Sequence, residues 1–261
     1  MPMPNVVGAF APRLREEPLH LSSFLQFPDP NLVEALARTS LQSLVLDMQH
    51  GMFDEHAILG SVAAAALEGK ACLVRVPVDA GGLASRVLDF GAAGVICPMV
   101  NTRRDAERLV GYTKFPPVGS RSWGPRRALP ISGLAGPDYL AKANELIVTF
   151  AMIETREALD NLDEILSVAG VDGVFVGPMD LSVSLSDGKA LDSSDVGQAV
   201  EHVAARAKAQ GKIAGIFATS AELATRYAGS GYRFIGLMQE AMFMVAGANA
   251  AVAQVRGLLK G

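Results

Sequence analysis

Short apolar runs alternate along this chain with longer segments of helical period. The runs fall at 19–27, 42–48, 71–77, 94–100, 146–153, 171–177, 212–218 and 232–237. They are mostly rich in β-branched or aromatic residues, as strands buried on both faces must be. Segments 29–40, 54–68, 79–90, 102–114, 155–169, 195–210, 220–229 and 239–259 instead space their apolar residues at about 3.6 positions. Most open on Asp, Ser or Thr, whose side chains accept hydrogen bonds from the free N–H groups of a first helical turn. Asp29 followed by Pro30 is the clearest start. Eight strand–helix pairs in strict alternation predict a parallel sheet. A chain of 261 residues is the size of one (β/α)8 barrel, a TIM barrel. The competing open, doubly wound sheet usually carries a G-x-G-x-x-G turn after its first strand; here the first run leads into Pro28, Asp29, Pro30 and Asn31. A single α/β domain over 1–261 is therefore expected. One irregular stretch, 115–138, holds five prolines, four glycines and three arginines, and reads as a lid or functional loop.

Composition sharpens this picture. Half of the residues are hydrophobic and only 19% are charged, which excludes a disordered chain or a coiled coil. A net charge of −4 offers no footprint for nucleic acid. The mean hydropathy of +0.27 raises the question of a membrane. Yet the most apolar windows, 61–67 and 241–255, are too short or are interrupted by Asn249 and Gln254. The first residues lack the basic start and apolar core of a secretory signal, so a cytoplasmic location is expected. Eight buried parallel strands account for the apolarity. Cys72 and Cys97 read as small buried hydrophobes, His20, His56 and His202 as structural or solvated, and the ten methionines as core filler.

In a barrel of this kind catalytic groups sit at the C-terminal ends of the strands. The second strand carries Asp47 near its end, with His50 three residues on, so that the two can share a pocket. The third carries Arg75 between Val74 and Val76; an arginine there must meet a carboxylate, from the protein as a buried ion pair or from a substrate. Glu154 follows the fifth strand, and Asp180 follows the sixth by way of Gly177, Pro178 and Met179. Two carboxylates on adjacent strand ends repel unless a cation joins them, and oxygen-only ligation suits Mg²⁺ or Mn²⁺, with Co²⁺ less specific. A tight turn at Gly177–Pro178 exposes the N–H groups of Met179 and Asp180 to a substrate carboxylate. Arg121, Arg126 and Arg127 in the long loop either favour a polar or anionic substrate tail or tie the loop down. No strand run carries an interior lysine for a Schiff base.

Four motifs together resemble the HpcH/HpaI aldolase family, the metal-dependent class II pyruvate aldolases. They are LVLDMQHG, LVRVP with LDFGAAGVICPMVNT, GSRSWGPRRA, and the long AMIETREALDNLDEILSVAGVDGVFVGPMDLS. The resemblance covers about 18–259. It implies a (β/α)8 barrel assembled as a hexamer, a trimer of dimers that exchange the last helix, about 239–259. It implies a carbon–carbon lyase that reversibly cleaves a 4-hydroxy-2-oxo acid to pyruvate and an aldehyde through a metal-stabilised enolate. By position, Glu154 and Asp180 match the metal carboxylates, His50 the acid/base histidine with Asp47 beside it, and Arg75 the arginine that steadies the enolate. Asp89, by itself readable only as an exposed helix residue, matches an aspartate that reaches a neighbouring subunit's histidine. Met179 and Asp180 match the amides that hold the pyruvate carboxylate. Met152 departs from a usual active-site glutamine, and Gln49 from a usual glutamate. These departures resemble the branch of hydroxyketoacid aldolases that accept hydroxypyruvate as well as pyruvate. The alternatives are an oxaloacetate decarboxylase or acyl-CoA ester lyase of the same barrel family, and a non-catalytic metabolite-binding protein. A mere binder has no need of the base that His50 would supply.

Overall fold

The computed structural model describes residues 5–190 and 194–259. Eight strands, β1 (His20–Leu25), β2 (Ser43–Asp47), β3 (Ala71–Arg75), β4 (Gly94–Cys97), β5 (Val148–Ile153), β6 (Gly173–Val176), β7 (Ile213–Ala218) and β8 (Phe234–Gln239), pair in parallel in chain order. β8 returns to pair with β1, with a register shift between Ser22 and Phe24, and closes the barrel. All eight expected strands are present. Most helices begin where the sequence signals them. Asp29 accepts the Asn31 N–H ahead of α2 (Pro30–Ala37), and Asp54 accepts the Ala57 N–H ahead of α3 (Glu55–Leu67). Thr102 and Asp105 form a reciprocal capping box at the start of α5 (Arg103–Thr113), which follows α4 (Gly81–Asp89).

Several elements differ from expectation. An unexpected helix, α1 (Val6–Glu16), precedes β1 and contains Pro12, which obscures its helical pattern. Its buried stripe of Val7, Phe10, Ala11 and Leu14 joins the main core, and Phe10 meets the His20 ring edge-on at 5.4 Å. The 115–138 stretch is not wholly irregular: it contains α6 (Ala128–Ser132) and the start of α7 (Gly136–Leu146). The single helix expected over 155–169 is two, α8 (Arg156–Asp160) and α9 (Leu162–Leu166), broken at Asn161. The Asn161 amide donates to the Asn101 carbonyl at 2.9 Å, so the break ties these helices to the loop after β4. A further short helix, α10 (Pro178–Leu185), follows β6 directly. It precedes α11 (Asp195–Ala209), α12 (Ala221–Gly229) and α13 (Glu240–Leu258). The methionines are not core filler: of those described only Met152 is buried, and Met52, Met99, Met179 and Met244 are exposed. Cys72 is buried and Cys97 half-buried, and burial pushes both thiols up to about 12.

α13 stands apart from the barrel helices. Glu240 is its only buried residue, and Met244, Val245, Val252, Val255 and Leu258 are exposed along it. No helix among the described residues is long and apolar enough to cross a membrane.

The barrel interior is packed by rings set against glycines. Phe24, Phe150, Phe175 and Phe234 lie with neighbouring ring centroids 5.2–6.4 Å apart. A Cβ at Gly236 would lie 2.6 Å from the Phe24 ring, one at Gly215 2.8 Å from Phe175, and one at Gly173 2.7 Å from Phe150. Missing side chains on β6, β7 and β8 thus admit large ones from their neighbours. This stack ends upward at Phe24 and Phe175, which form part of the floor of the cavity described next. Gly236→Ala is expected to cost about 1–3 kcal/mol by overpacking against Phe24, read as a lower urea midpoint at unchanged slope.

Candidate active site

The polar residues that the strands present converge at the C-terminal mouth. Asp47 and Arg75 end β2 and β3 and are register partners, so their side chains leave the sheet on the same face. Asp47 is fully buried and Arg75 is 11% exposed. Arg75 Nε donates to Asp47 Oδ1 at 2.8 Å and Nη2 donates to Oδ2 at 2.6 Å. This fork-on-carboxylate pairing is what makes two charges tolerable at such burial. Asp47 Oδ1 also accepts the N–H groups of Gln49 (3.1 Å) and His50 (3.3 Å). One carboxylate therefore fixes both the guanidinium and the turn that carries His50. The guanidinium carbon lies 5.0 Å from the centroid of the Phe24 ring. Arg75 is thus ion-paired inside the protein and at the same time lines the cavity.

Glu154 follows β5 and is 3% exposed. Its Oε1 accepts the Met99 N–H at 2.7 Å. Burial raises its carboxyl above the usual range and Asp180 adds to the rise, while the Met99 N–H and Arg75 oppose it. Asp180 lies in the first turn of α10. Between the two acids sits Gly177. A Cβ there would be 3.1 Å from Glu154 Oε2, 3.2 Å from the Met152 methyl and 3.6 Å from Asp180 Oδ2. One oxygen from each carboxylate faces this small space, which the missing side chain keeps open. A hard cation fits such a cradle: two carboxylate oxygens attract it, and the open mouth leaves room for water or substrate oxygens. No group of three or more His, Cys, Asp or Glu assembles among the described residues, which is unlike a closed structural zinc site.

α10 adds donors to the same mouth. Pro178 has no N–H, and the first intrahelical bond runs from the Leu181 N–H to the Gly177 carbonyl at 3.0 Å. The N–H groups of Met179 and Asp180 precede that bond, and both residues line the cavity. The cavity measures about 540 Å³ including its open mouth. Phe24, Met152, Phe175 and Phe217 form its apolar walls, and His50, Arg75, Asp180 and Gln239 its polar ones.

His50, Arg75, Met152, Gly177, Pro178, Met179 and Asp180 thus share one cavity. Glu154 borders it across Gly177, and Asp47 supports it through Arg75. Asp89 and Arg121 lie elsewhere. Arg121 Nη2 donates to Asp89 Oδ1 at 2.6 Å, and the Arg121 guanidinium carbon lies 4.7 Å from the centroid of the Phe115 ring. The Arg121 side chain is wholly buried, so it ties the long loop down and does not face the cavity. Trp123 packs beside it against Phe115 and Tyr139, at centroid distances of 5.5 and 6.2 Å. Asp89 is half-buried, not exposed as its sequence suggests. Burial raises its carboxyl, with Arg121 opposing. It opens with Phe90, Arg126 and Arg127 on a separate surface cavity. Phe24, Phe217, Gln239 and Met99 escaped the sequence reading. The phenylalanines carry a signal, since they point inward from strands, but the contact of Met99 is made by its main chain.

The HpcH/HpaI aldolase/citrate lyase family model matches residues 21–246. The chain is 41% identical over 240 residues to a hydroxypyruvate/pyruvate aldolase of Rhizorhabdus wittichii, covering 91% of this chain and 94% of that one. It is 33% identical over 228 residues to a 5-keto-4-deoxy-D-glucarate aldolase of Salmonella gallinarum, covering 87% and 89%. A crystal structure of an HpcH/HpaI aldolase/citrate lyase family protein from Burkholderia cenocepacia superposes with a TM-score of 0.86 at 29% identity, covering 95% of this chain and 99% of that one.

Gly177 has φ −96°, which alanine also adopts, so a substitution there reports space and not backbone strain. Gly177→Ala is expected to weaken Mn²⁺ binding roughly ten- to a hundredfold by placing a methyl group among the carboxylate oxygens. Titration of the metal-free protein, followed by calorimetry, checks this.

Proposed function

The chain belongs to the HpcH/HpaI aldolase/citrate lyase family, and from that premise we propose that it reversibly cleaves a 4-hydroxy-2-oxo acid into pyruvate or hydroxypyruvate and an aldehyde. The observation that carries this reading is the convergence of Glu154 and Asp180 over Gly177, with the Arg75 guanidinium on the same cavity. The 41% identity to a hydroxypyruvate/pyruvate aldolase supports both 2-oxo acids as products. Met152 supports the same branch by the resemblance, which sets this methyl group at the position of a usual active-site glutamine.

Glu154 and Asp180 would hold a divalent cation, Mg²⁺ or Mn²⁺. When bound, the cation supplies Lewis-acid stabilisation of the negative charge that grows on the 2-oxo oxygen. The N–H groups of Met179 and Asp180 receive the C1 carboxylate at the start of α10. Arg75 donates to the 2-oxo oxygen, and the interaction strengthens as the C3–C4 bond breaks and the electron pair moves toward that oxygen. Asp47 neutralises part of the guanidinium charge and keeps its fork aimed. His50 takes the proton from the C4 hydroxyl as the aldehyde leaves. Returning a proton to C3 of the enolate completes the product 2-oxo acid. Phe24, Phe175 and Phe217 limit water around the enolate.

We assign the exposed apolar side of α13 to a neighbouring copy of the chain, as in an exchanged-helix hexamer, with Asp89 at a subunit boundary where it reaches the neighbour's histidine. Sedimentation tests this arrangement: a fully active monomer would remove Asp89 from the mechanism.

Glu154→Ala and Asp180→Ala are each expected to lower cleavage by at least about a thousandfold, and EDTA to abolish it until Mg²⁺ or Mn²⁺ is restored. Arg75→Ala is expected to lower kcat by about a hundred- to a thousandfold. Pyruvate and hydroxypyruvate assayed against a panel of aldehydes, beside oxaloacetate alone, provide the readout. Activity that survives chelation would overturn the cation reading. Turnover of oxaloacetate alone would replace the aldolase with a decarboxylase.

A further inference from the structure

We propose that Met99 is a positioning residue for the cation site: its left-handed main chain aims an N–H at Glu154 and so leaves the other carboxylate oxygen turned toward Asp180. The inference rests on the reading of Glu154 and Asp180 as cation ligands.

Met99 follows Pro98 just after β4 and has φ +56°. A side chain with a Cβ pays for that conformation by crowding its own carbonyl. Burial of the side chain does not impose it, because Met99 is 42% exposed at the rim. The main chain does make a specific contact: the Met99 N–H donates to Glu154 Oε1 at 2.7 Å. Glu154 Oε2 is the oxygen that faces the space over Gly177, with Asp180 Oδ2 across it. The N–H therefore divides the carboxylate between a backbone donor and the open cradle.

The same loop grips the chain on the far side of Glu154. Thr155 donates its hydroxyl to the Asn101 side-chain oxygen, and the Asn161 amide donates to the Asn101 carbonyl. The loop's other end is fixed by the capping box of Thr102 and Asp105. The β4–α5 loop thus clamps 154–155 from two sides, and Met99 is the point where the clamp meets the functional carboxylate. Without that N–H, the β4–α5 loop would no longer fix which oxygen of Glu154 faces the space over Gly177.

The test separates main-chain conformation from side-chain chemistry. Mn²⁺ alone is titrated into the metal-free full-length protein and its variants, with free Mn²⁺ followed by electron paramagnetic resonance. Met99→Gly and Met99→Asn accept the left-handed region and are expected to bind Mn²⁺ within about threefold of the parent. Met99→Val, β-branched and strained at positive φ, is expected to bind about tenfold more weakly. Far-UV circular dichroism checks the fold, and if Met99→Val fails to fold, Met99→Thr, β-branched but polar, takes its place with the same direction of change. Parent-like affinity in Met99→Val, or an equal loss in Met99→Gly, would overturn the inference. Failure of the parent protein to take up Mn²⁺ would overturn the cation reading itself, and the inference with it.

Discussion

A buried carboxylate set opposite a second carboxylate is the costly feature on which this mouth depends. Glu154 is nearly inaccessible to solvent, and Asp180 raises its carboxyl further. Left alone, such an acid would take up a proton or swing away. The surroundings oppose both outcomes. Met99 lends a backbone donor to one oxygen, Arg75 contributes positive charge, and Gly177 withholds a side chain where both acids look. These features hold in place a pair of carboxylates that burial and their mutual repulsion both disfavour. The N–H groups of Met179 and Asp180 line the same mouth, and on the proposed function they would meet a substrate carboxylate beside the cation.

The barrel interior explains why this arrangement is rigid. Gly236 lets the Phe24 ring cross toward β8, and Phe24 lies beneath the Arg75 guanidinium. Arg75 is locked by Asp47, and Asp47 also holds the backbone turn of His50. A line of contacts therefore runs from the glycine–phenylalanine packing inside the barrel to the backbone turn that carries His50 at its rim. Gly236, Phe24 and Asp47 are buried, and Arg75 is paired to Asp47 through two hydrogen bonds. Dense packing limits how far any of them can move without disturbing the next.

The strands were legible because a buried parallel strand can hardly be written without a continuous apolar run. The strand-end acids and Arg75 were legible because a charge there is conspicuous. What sequence spacing hid falls into two physical classes. One is main-chain function: the Met99 contact depends on a φ angle, not on a side chain type. The other is tertiary override of local pattern. Asn161 breaks a helix because Asn101 accepts its amide, and Pro12 lies inside a helix whose apolar stripe fills the core. Arg121 illustrates the reverse error. An arginine in a proline-rich loop invites a substrate role, yet its side chain is buried against Phe115 and spent on Asp89.

The division of labour in the barrel also bears on what similarity can transfer. Groups that would handle the 2-oxo acid end of a substrate lie on strand ends or on the first turn of α10, and the barrel fixes their mutual geometry. The walls that would meet the departing aldehyde include Phe217 and Gln239, which are outside this set but line the same cavity. Those positions can change without disturbing the Asp47–Arg75 pair or the Glu154–Gly177–Asp180 cradle. Relatives can therefore keep one bond-breaking chemistry while their substrates diverge, as the 41% identical hydroxypyruvate/pyruvate aldolase and the 33% identical 5-keto-4-deoxy-D-glucarate aldolase do by name. On this argument the inner residues specify an enolate and a cation. If the proposed function holds, Met152 is placed to bear on the choice between pyruvate and its hydroxylated analogue: its methyl faces the space over Gly177 and would offer a substrate no hydrogen bond from that side.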